Sequence, residues 1–223
     1  MLIPNPDLPI AITSKSDRSA TTSLDGYEQS SSFAPLKSVK LSYLNRSQAE
    51  FTGLLTTLDT LGGKPGLTWD FRPHYVGKKW QVKSFGRVQY DQNIVEEWTI
   101  DLMEYPTAPV TIFTQTVVLP GYLVPIQAPT LTTEYRIRSS TLGKFPDYAD
   151  QRINSKREKI GFASILTWAQ VDKVDILLDR SRGVYPLVYE GKKYVCPEWS
   201  ITYEGEDCAE IRLDLSSYFA SSL

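Results

Sequence analysis

Val39-Lys40-Leu41-Ser42-Tyr43 alternates apolar and polar side chains, the period of a strand with one covered face. The period then changes. Ser47-Gln48-Ala49-Glu50 sets a capping serine three residues before a glutamate, which predicts a helix start. Phe51, Leu54, Leu55, Leu58 and Leu61 follow on one helical face. Gly62-Gly63 predicts the end, because glycine takes the left-handed backbone of a C-terminal cap. The helix is about 14 residues long by this pattern. Alternation returns at Leu67-Thr68-Trp69-Asp70-Phe71, at Trp80-Gln81-Val82-Lys83 and at Glu97-Trp98-Thr99-Ile100-Asp101-Leu102. These predict three strands, with Tyr90-Asp91-Gln92-Asn93 as the turn between the last two.

The pattern then recurs. Gly77-Lys78-Lys79-Trp80 returns as Gly191-Lys192-Lys193-Tyr194, 114 residues on, with Val82 meeting Cys196 and Phe85 meeting Trp199. At 113, Tyr90-Asp91, Glu97, Trp98, Ile100, Asp101, Leu102 and Tyr105 meet Tyr203-Glu204, Glu210, Ile211, Leu213, Asp214, Leu215 and Tyr218. At 120, Ala49, Leu54, Leu58, Asp59 and Gly63 meet Ala169, Val174, Leu178, Asp179 and Gly183. At 121, Val39, Leu41 and Tyr27 meet Ile160, Phe162 and Tyr148. Offsets that drift only at loops are what insertions and deletions leave. The period is too long for a solenoid, so the expectation is a tandem duplication of one module. Glu204-Gly205-Glu206-Asp207 predicts the second copy's last turn.

Each module reads strand, helix, then several strands. The predicted fold is mainly β (α+β), an antiparallel sandwich or barrel with one flanking helix, present twice. Residues 1–107 form the first module, 108–131 a connector and 132–223 the second. The connector is rich in Pro and apolar β-branched residues, unlike a flexible linker. Within it Thr111–Thr114 and Thr116–Leu119 are candidate strands. It is expected to pack along both modules or against a neighbouring subunit. The first 24 residues are rich in Ser, Thr and Pro and read as an arm that orders on assembly.

Composition adds mostly exclusions. Hydrophobic residues make up 41% and charged residues 22% of the 223 residues, as in ordinary globular proteins. A net charge of −2 gives no general drive toward nucleic acid or anionic membrane. The most apolar stretch, Thr111–Ile126, is interrupted by Gln115, Pro120, Gly121 and Pro125 and is too short to span a bilayer. The first six residues have neither a basic nor an apolar signal segment, so synthesis and retention in the cytoplasm are expected, until the chain joins something larger.

Candidate chemistry is thin, and no enzyme is expected. The single histidine, His74, has no partner motif and reads as a surface loop residue. Cys196 and Cys208 with one histidine fall short of a zinc set, and read as small buried hydrophobes. Asp101 and Asp214 are repeat partners that point away from their strands' apolar face, with no sign of a paired acid and base. Gly62-Gly63-Lys64-Pro65-Gly66 lacks the spacing of a phosphate-binding loop. No cofactor and no metal are expected. The basic run Arg152–Lys159, with Arg152, Lys156 and Arg157, reads as a solvated hairpin ahead of a nucleic-acid or subunit contact.

The order of elements resembles a known family. Asp25-Gly26-Tyr27-Glu28-Gln29 precedes the strand Leu41–Asn45, then Ser47, Ala49-Glu50, a leucine-rich helix, Thr68-Trp69 and Lys79-Trp80-Gln81-Val82. This is similar to the phage minor tail protein family typified by the M protein of lambda-like phages, over roughly residues 17–105. Pro146–Gln151 is a weaker echo of the turn in the second module, and the family's cysteine position is held by Val82 and Cys196. Family members usually carry one such module, so the tandem pair departs from the pattern.

The resemblance implies two tail-tube-like modules in a tail-tip or baseplate ring, an adaptor between tail tube and hub. It implies a virion protein made in the host cytoplasm, with tail tube, hub and tape-measure proteins as partners. Neither membrane nor specific nucleic acid is expected as a partner. Three chains would give pseudo-sixfold symmetry, and six would give twelve modules; both stay open. Asp25, Gly26, Tyr27, Glu28, Gln29, Arg152, Lys156 and Arg157 are the expected assembly residues. The alternative reading is a host-surface carbohydrate-binding module with an exposed aromatic patch.

Overall fold

The computed structural model describes the backbone of residues 2–15, 18–22, 28–32, 36–89, 94–105, 117–138, 151–181 and 186–217. The first part contains β1 (Asp7–Lys15), β2 (Arg18–Thr22), β3 (Glu28–Ser32), β4 (Leu36–Ser47), α1 (Gln48–Leu61), β5 (Lys79–Gln89) and β6 (Ile94–Tyr105). The second contains β7 (Val117–Val118), β8 (Thr130–Arg138), β9 (Gln151–Leu166), α2 (Trp168–Ser181), β10 (Leu187–Tyr189), β11 (Lys192–Gly205) and β12 (Cys208–Ser217). The protein is mainly β, with a helix in each half.

Ten strands form one sheet whose main path is β5-β6-β4-β1-β11-β12-β9-β8. The halves are therefore joined edge to edge through β1 and β11, which pair antiparallel. Each half has the same local order. β6 lies between β5 and β4, and β1 follows β4; β12 lies between β11 and β9, and β8 follows β9.

Register explains why the sheet has one covered face. Leu102, Val39, Ile12, Ile201 and Ile211 lie side by side across five strands, and all are buried. Beside them runs Lys37, Ser14, Trp199, Leu213 and Phe162, also buried. A strand's alternation puts the next residues on the opposite face. There the rows read Asp101, Lys40, Ala11, Thr202, Glu210 and Ser38, Thr13, Ser200, Arg212. That face is polar and carries no aromatic side chain in these rows.

Local chemistry sets the helix ends. Ser47 accepts from the Glu50 amide and the Glu50 carboxylate accepts from the Ser47 amide, as the pattern predicts. Gly62 ends α1 at φ 54°. At α2, Thr167 and Gln170 make the same reciprocal pair, which the sequence reading overlooked.

Four expectations need correction. Residues 7–15 are not a free arm: Ile10 and Ile12 are buried, and β1 occupies the middle of the sheet. Their apolar alternation outweighs the surrounding Ser, Thr and Pro. Leu67–Phe71 is not a strand; Leu67 and Thr68 make isolated bridges, and Trp69 and Phe71 stack on each other at 5.3 Å. Cys196 is buried but Cys208 is only half-buried. His74 is not a surface residue, for reasons given below. Thr111–Thr114, Tyr90–Asn93 and residues 146–150 lie outside the described residues.

Candidate functional site

Helix α2 spaces Asp172, Asp175 and Asp179 three and four residues apart, so the three carboxylates share one face. That face meets the first half. Lys37 comes from β4, at an inward position of the strand, and is fully buried. Its ammonium donates to Asp175 Oδ2 at 2.5 Å and to Asp179 Oδ2 at 2.9 Å. Tyr75 donates to Asp175 Oδ2 at 2.8 Å, and Trp199 Nε1 donates to Asp175 Oδ1 at 3.0 Å. His74, with its proton on Nε2, donates to Asp175 Oδ2 at 2.9 Å.

The neighbours extend this network. Arg72 grips Asp172 with two nitrogens, at 3.1 and 2.5 Å, and its guanidinium lies 4.7 Å from the Trp168 ring centre. Tyr203 donates to Asp172 Oδ1 at 3.3 Å. Lys78 bridges Asp179, at 3.0 Å, and Glu104, at 2.8 Å. Cations from residues 37–78 thus face carboxylates of residues 172–179, and the charges match across the seam.

Burial decides how these groups behave. It disfavours charge on Asp175, but Lys37 and His74 outweigh it and hold the carboxyl well below the usual range. Burial also disfavours charge on Lys37, yet Asp175 and Asp179 raise its proton affinity above that of a free lysine. Burial, then the Asp175 charge, pushes the Tyr75 hydroxyl well up, so it stays a donor. Burial likewise pushes up the Cys196 thiol, which opposes thiolate chemistry there. Asp175 and Lys37 are both held in the charged form, and each of the three α2 carboxylates is bonded to a group from residues 37–78.

His74 is therefore part of the seam, with a side chain only 7% exposed. A single-residue reading missed this because its partners lie about 100 positions away. Two signals were available: Lys37 falls in phase with Val39 and Leu41, and Asp172, Asp175 and Asp179 share a helical face.

The expected assembly residues fall elsewhere. Asp25, Gly26 and Tyr27 lie outside the described residues. Glu28 and Gln29 open β3, opposite Thr22 and Thr21 of β2. β2 and β3 form a separate two-stranded sheet, in which Arg18 faces Ser32, while Lys15 faces Leu36 at the end of the β1–β4 pair. Arg152, Lys156 and Arg157 lie in β9, opposite Ile137, Thr133 and Thr132 of β8. The two groups thus occupy separate strand pairs, β2–β3 and β8–β9.

Two cavities lie outside the seam. One, of about 200 Å³, is lined by Pro4, Tyr43, Arg46, Glu50, Leu54 and Trp98. The other, of about 360 Å³, is an open groove between α1 and β5 lined mainly by Leu55, Leu58, Val82 and Phe85. Among the described residues, no group of three or more His, Cys, Asp or Glu is arranged to hold a metal ion. No described helix is long and apolar enough to cross a membrane. Compared with known proteins, the chain matches no family model and no curated protein.

Proposed function

We propose that this protein is a non-catalytic assembly subunit of a tailed phage, a tail-tip or baseplate ring or adaptor that links tail tube to hub. The observation that carries the reading is the strand order β5-β6-β4-β1 followed by β11-β12-β9-β8. Helices α1 and α2 start 120 residues apart and end 120 apart, the offset found in the sequence. Together these support a tandem duplication of one tail-tube-like module. The resemblance of residues 17–105 to the minor tail protein family adds the phage context.

The mechanism is geometric. A broad sheet with one covered and one polar face suits the wall of a lumen, polar face inward. Two hairpins, β2–β3 and β8–β9, reach from the sheet as latches for rings above and below. The buried seam holds two modules as one rigid unit, so three chains supply six modules and six supply twelve. The carbohydrate-binding alternative asks for an exposed aromatic patch. Tyr105 is an exposed aromatic side chain, at 46%.

Immunogold electron microscopy tests the reading. Antibody against the chain is expected to decorate the distal end of phage tails in a lysate of producing cells. Label on no particle, together with binding of the purified chain on a glycan array, contradicts it.

A further inference from the structure

Among the described residues the sheet path ends at β5 and β8, and the chain contains a pattern for joining these two strands. At the internal seam, β1 residues 10–15 pair with β11 residues 203–198. The outer strands β5 and β8 hold the corresponding places in their halves. β10 covers the start of β11, with Leu187 facing Tyr194, and Leu67 bridges Trp80 at the start of β5 in the same way. Beyond that point β11 accepts β1, whereas residues 84–89 of β5 pair with β6 on one side and with no strand on the other among the described residues.

Register makes the correspondence specific. Ser14 faces Lys37, and Leu131 faces Glu158, 121 residues after Lys37. Trp199 faces Leu213, and Phe85 faces Ile100, 113 residues before Leu213. Ser14 faces Trp199 at the seam, so the matching pair is Leu131 and Phe85. Leu131 is 60% exposed, an apolar side chain at the end of the covered face. Phe85 lines the open groove between α1 and β5, with Leu55, Leu58 and Val82. One edge offers a knob, and the other offers a groove with apolar walls and Asp59, Gly62 and Gly63 also in its lining.

We propose that a second copy of this chain docks here, head to tail, with Thr130–Thr132 of β8 pairing antiparallel with Ser84–Gly86 of β5. Leu131 enters the α1–β5 groove, and the ten-stranded sheet continues from copy to copy. This deepens the ring reading and rests on it for the phage context only. The occupant is another copy because the internal seam already shows these two kinds of edge joined. Such contacts are heterologous, so they close into a ring when the rotation allows. They also cover the unpaired edges that otherwise invite aggregation.

The second seam is chemically different from the first. Leu55 stands where Asp175 stands, and Glu158 where Lys37 stands. No buried ion network forms, and Glu158 is already held by Lys192 at 2.9 Å. The joint between copies is therefore apolar, weaker than the internal seam and reversible by dilution.

Cysteine cross-linking of the full chain tests this. Ser84 and Thr132 lie in strands at opposite ends of the sheet path, so a bond between them joins two chains. Mild oxidation of the S84C/T132C variant is expected to give a ladder of disulfide-linked multimers, with neither single variant giving one. Light scattering of Leu131→Asp is expected to show loss of the oligomer with an unchanged circular dichroism spectrum. Dimers from S84C alone mean edge-to-like-edge pairing and overturn the proposal. A wild-type chain that stays monomeric at millimolar concentration also overturns it. A monomer whose antibody still labels tail ends removes the pairing and leaves the tail reading; multimers without tail label do the reverse.

Discussion

The Lys37 ammonium lies 2.5 Å from Asp175 Oδ2, and the two side chains, 138 positions apart, are both completely buried. Removing one member of such a pair leaves the other charged in a dry site. Lys37→Met is expected to cost about 3–5 kcal/mol of stability, from denaturant unfolding. Asp175→Asn should also destabilise, and the double variant should lose less than the sum of the two. Additive losses would mean that the pair does not couple the halves.

Acid should act through the same carboxylate. The Asp175 pKa is lowered on folding, so its contribution is full above the unfolded value of about 3.9. It declines as pH falls below that toward the folded value. The Lys37 pKa is raised, so its contribution is full below the unfolded value of about 10.4 and is lost as pH rises through the folded one. Stability should therefore be flat near neutrality and fall in acid. Unfolding midpoints of Asp175→Asn across pH 2–7 should show a shallower acid slope than wild type.

β1 should behave as core and not as an arm. Deleting residues 1–15 removes the strand between β4 and β11 and bares the Ile201 and Val39 rows. The truncated chain is expected to lose its single cooperative transition, read by circular dichroism on heating. Ile12→Ala, which empties one site in that row, should cost about 2–5 kcal/mol. A truncated chain that melts like wild type would restore the arm reading.

The two helix starts offer a smaller test. Ser47→Ala and Thr167→Ala each remove a side-chain acceptor from a helix amide. Each should cost about 1 kcal/mol by denaturant unfolding. Equal, additive losses are expected, because the two caps are far apart and share no partner.

Much of the fold was legible because local periods carried it. α1 was read from its serine, its glutamate, its leucines and its glycines, and each of these does in the structure what its pattern implied. β4, β5 and β6 followed from alternation over Val39–Tyr43, Trp80–Lys83 and Glu97–Leu102. The role of β1 was hidden because Ile10 and Ile12 are two inward residues among Pro, Ser and Thr. The seam was hidden for a different reason. His74 needs Asp175, and nothing local announces a partner about 100 positions away. Lys37 in an apolar phase was the clue, since a lysine there requires a buried counter-charge.

Electron microscopy of the purified full-length chain tests the central claim most directly. The account predicts closed annular particles of identical subunits, with the face carrying Lys40, Thr13, Ser200 and Arg212 turned toward a central lumen. Isolated monomers, or closed dimers with that face turned outward, would contradict it.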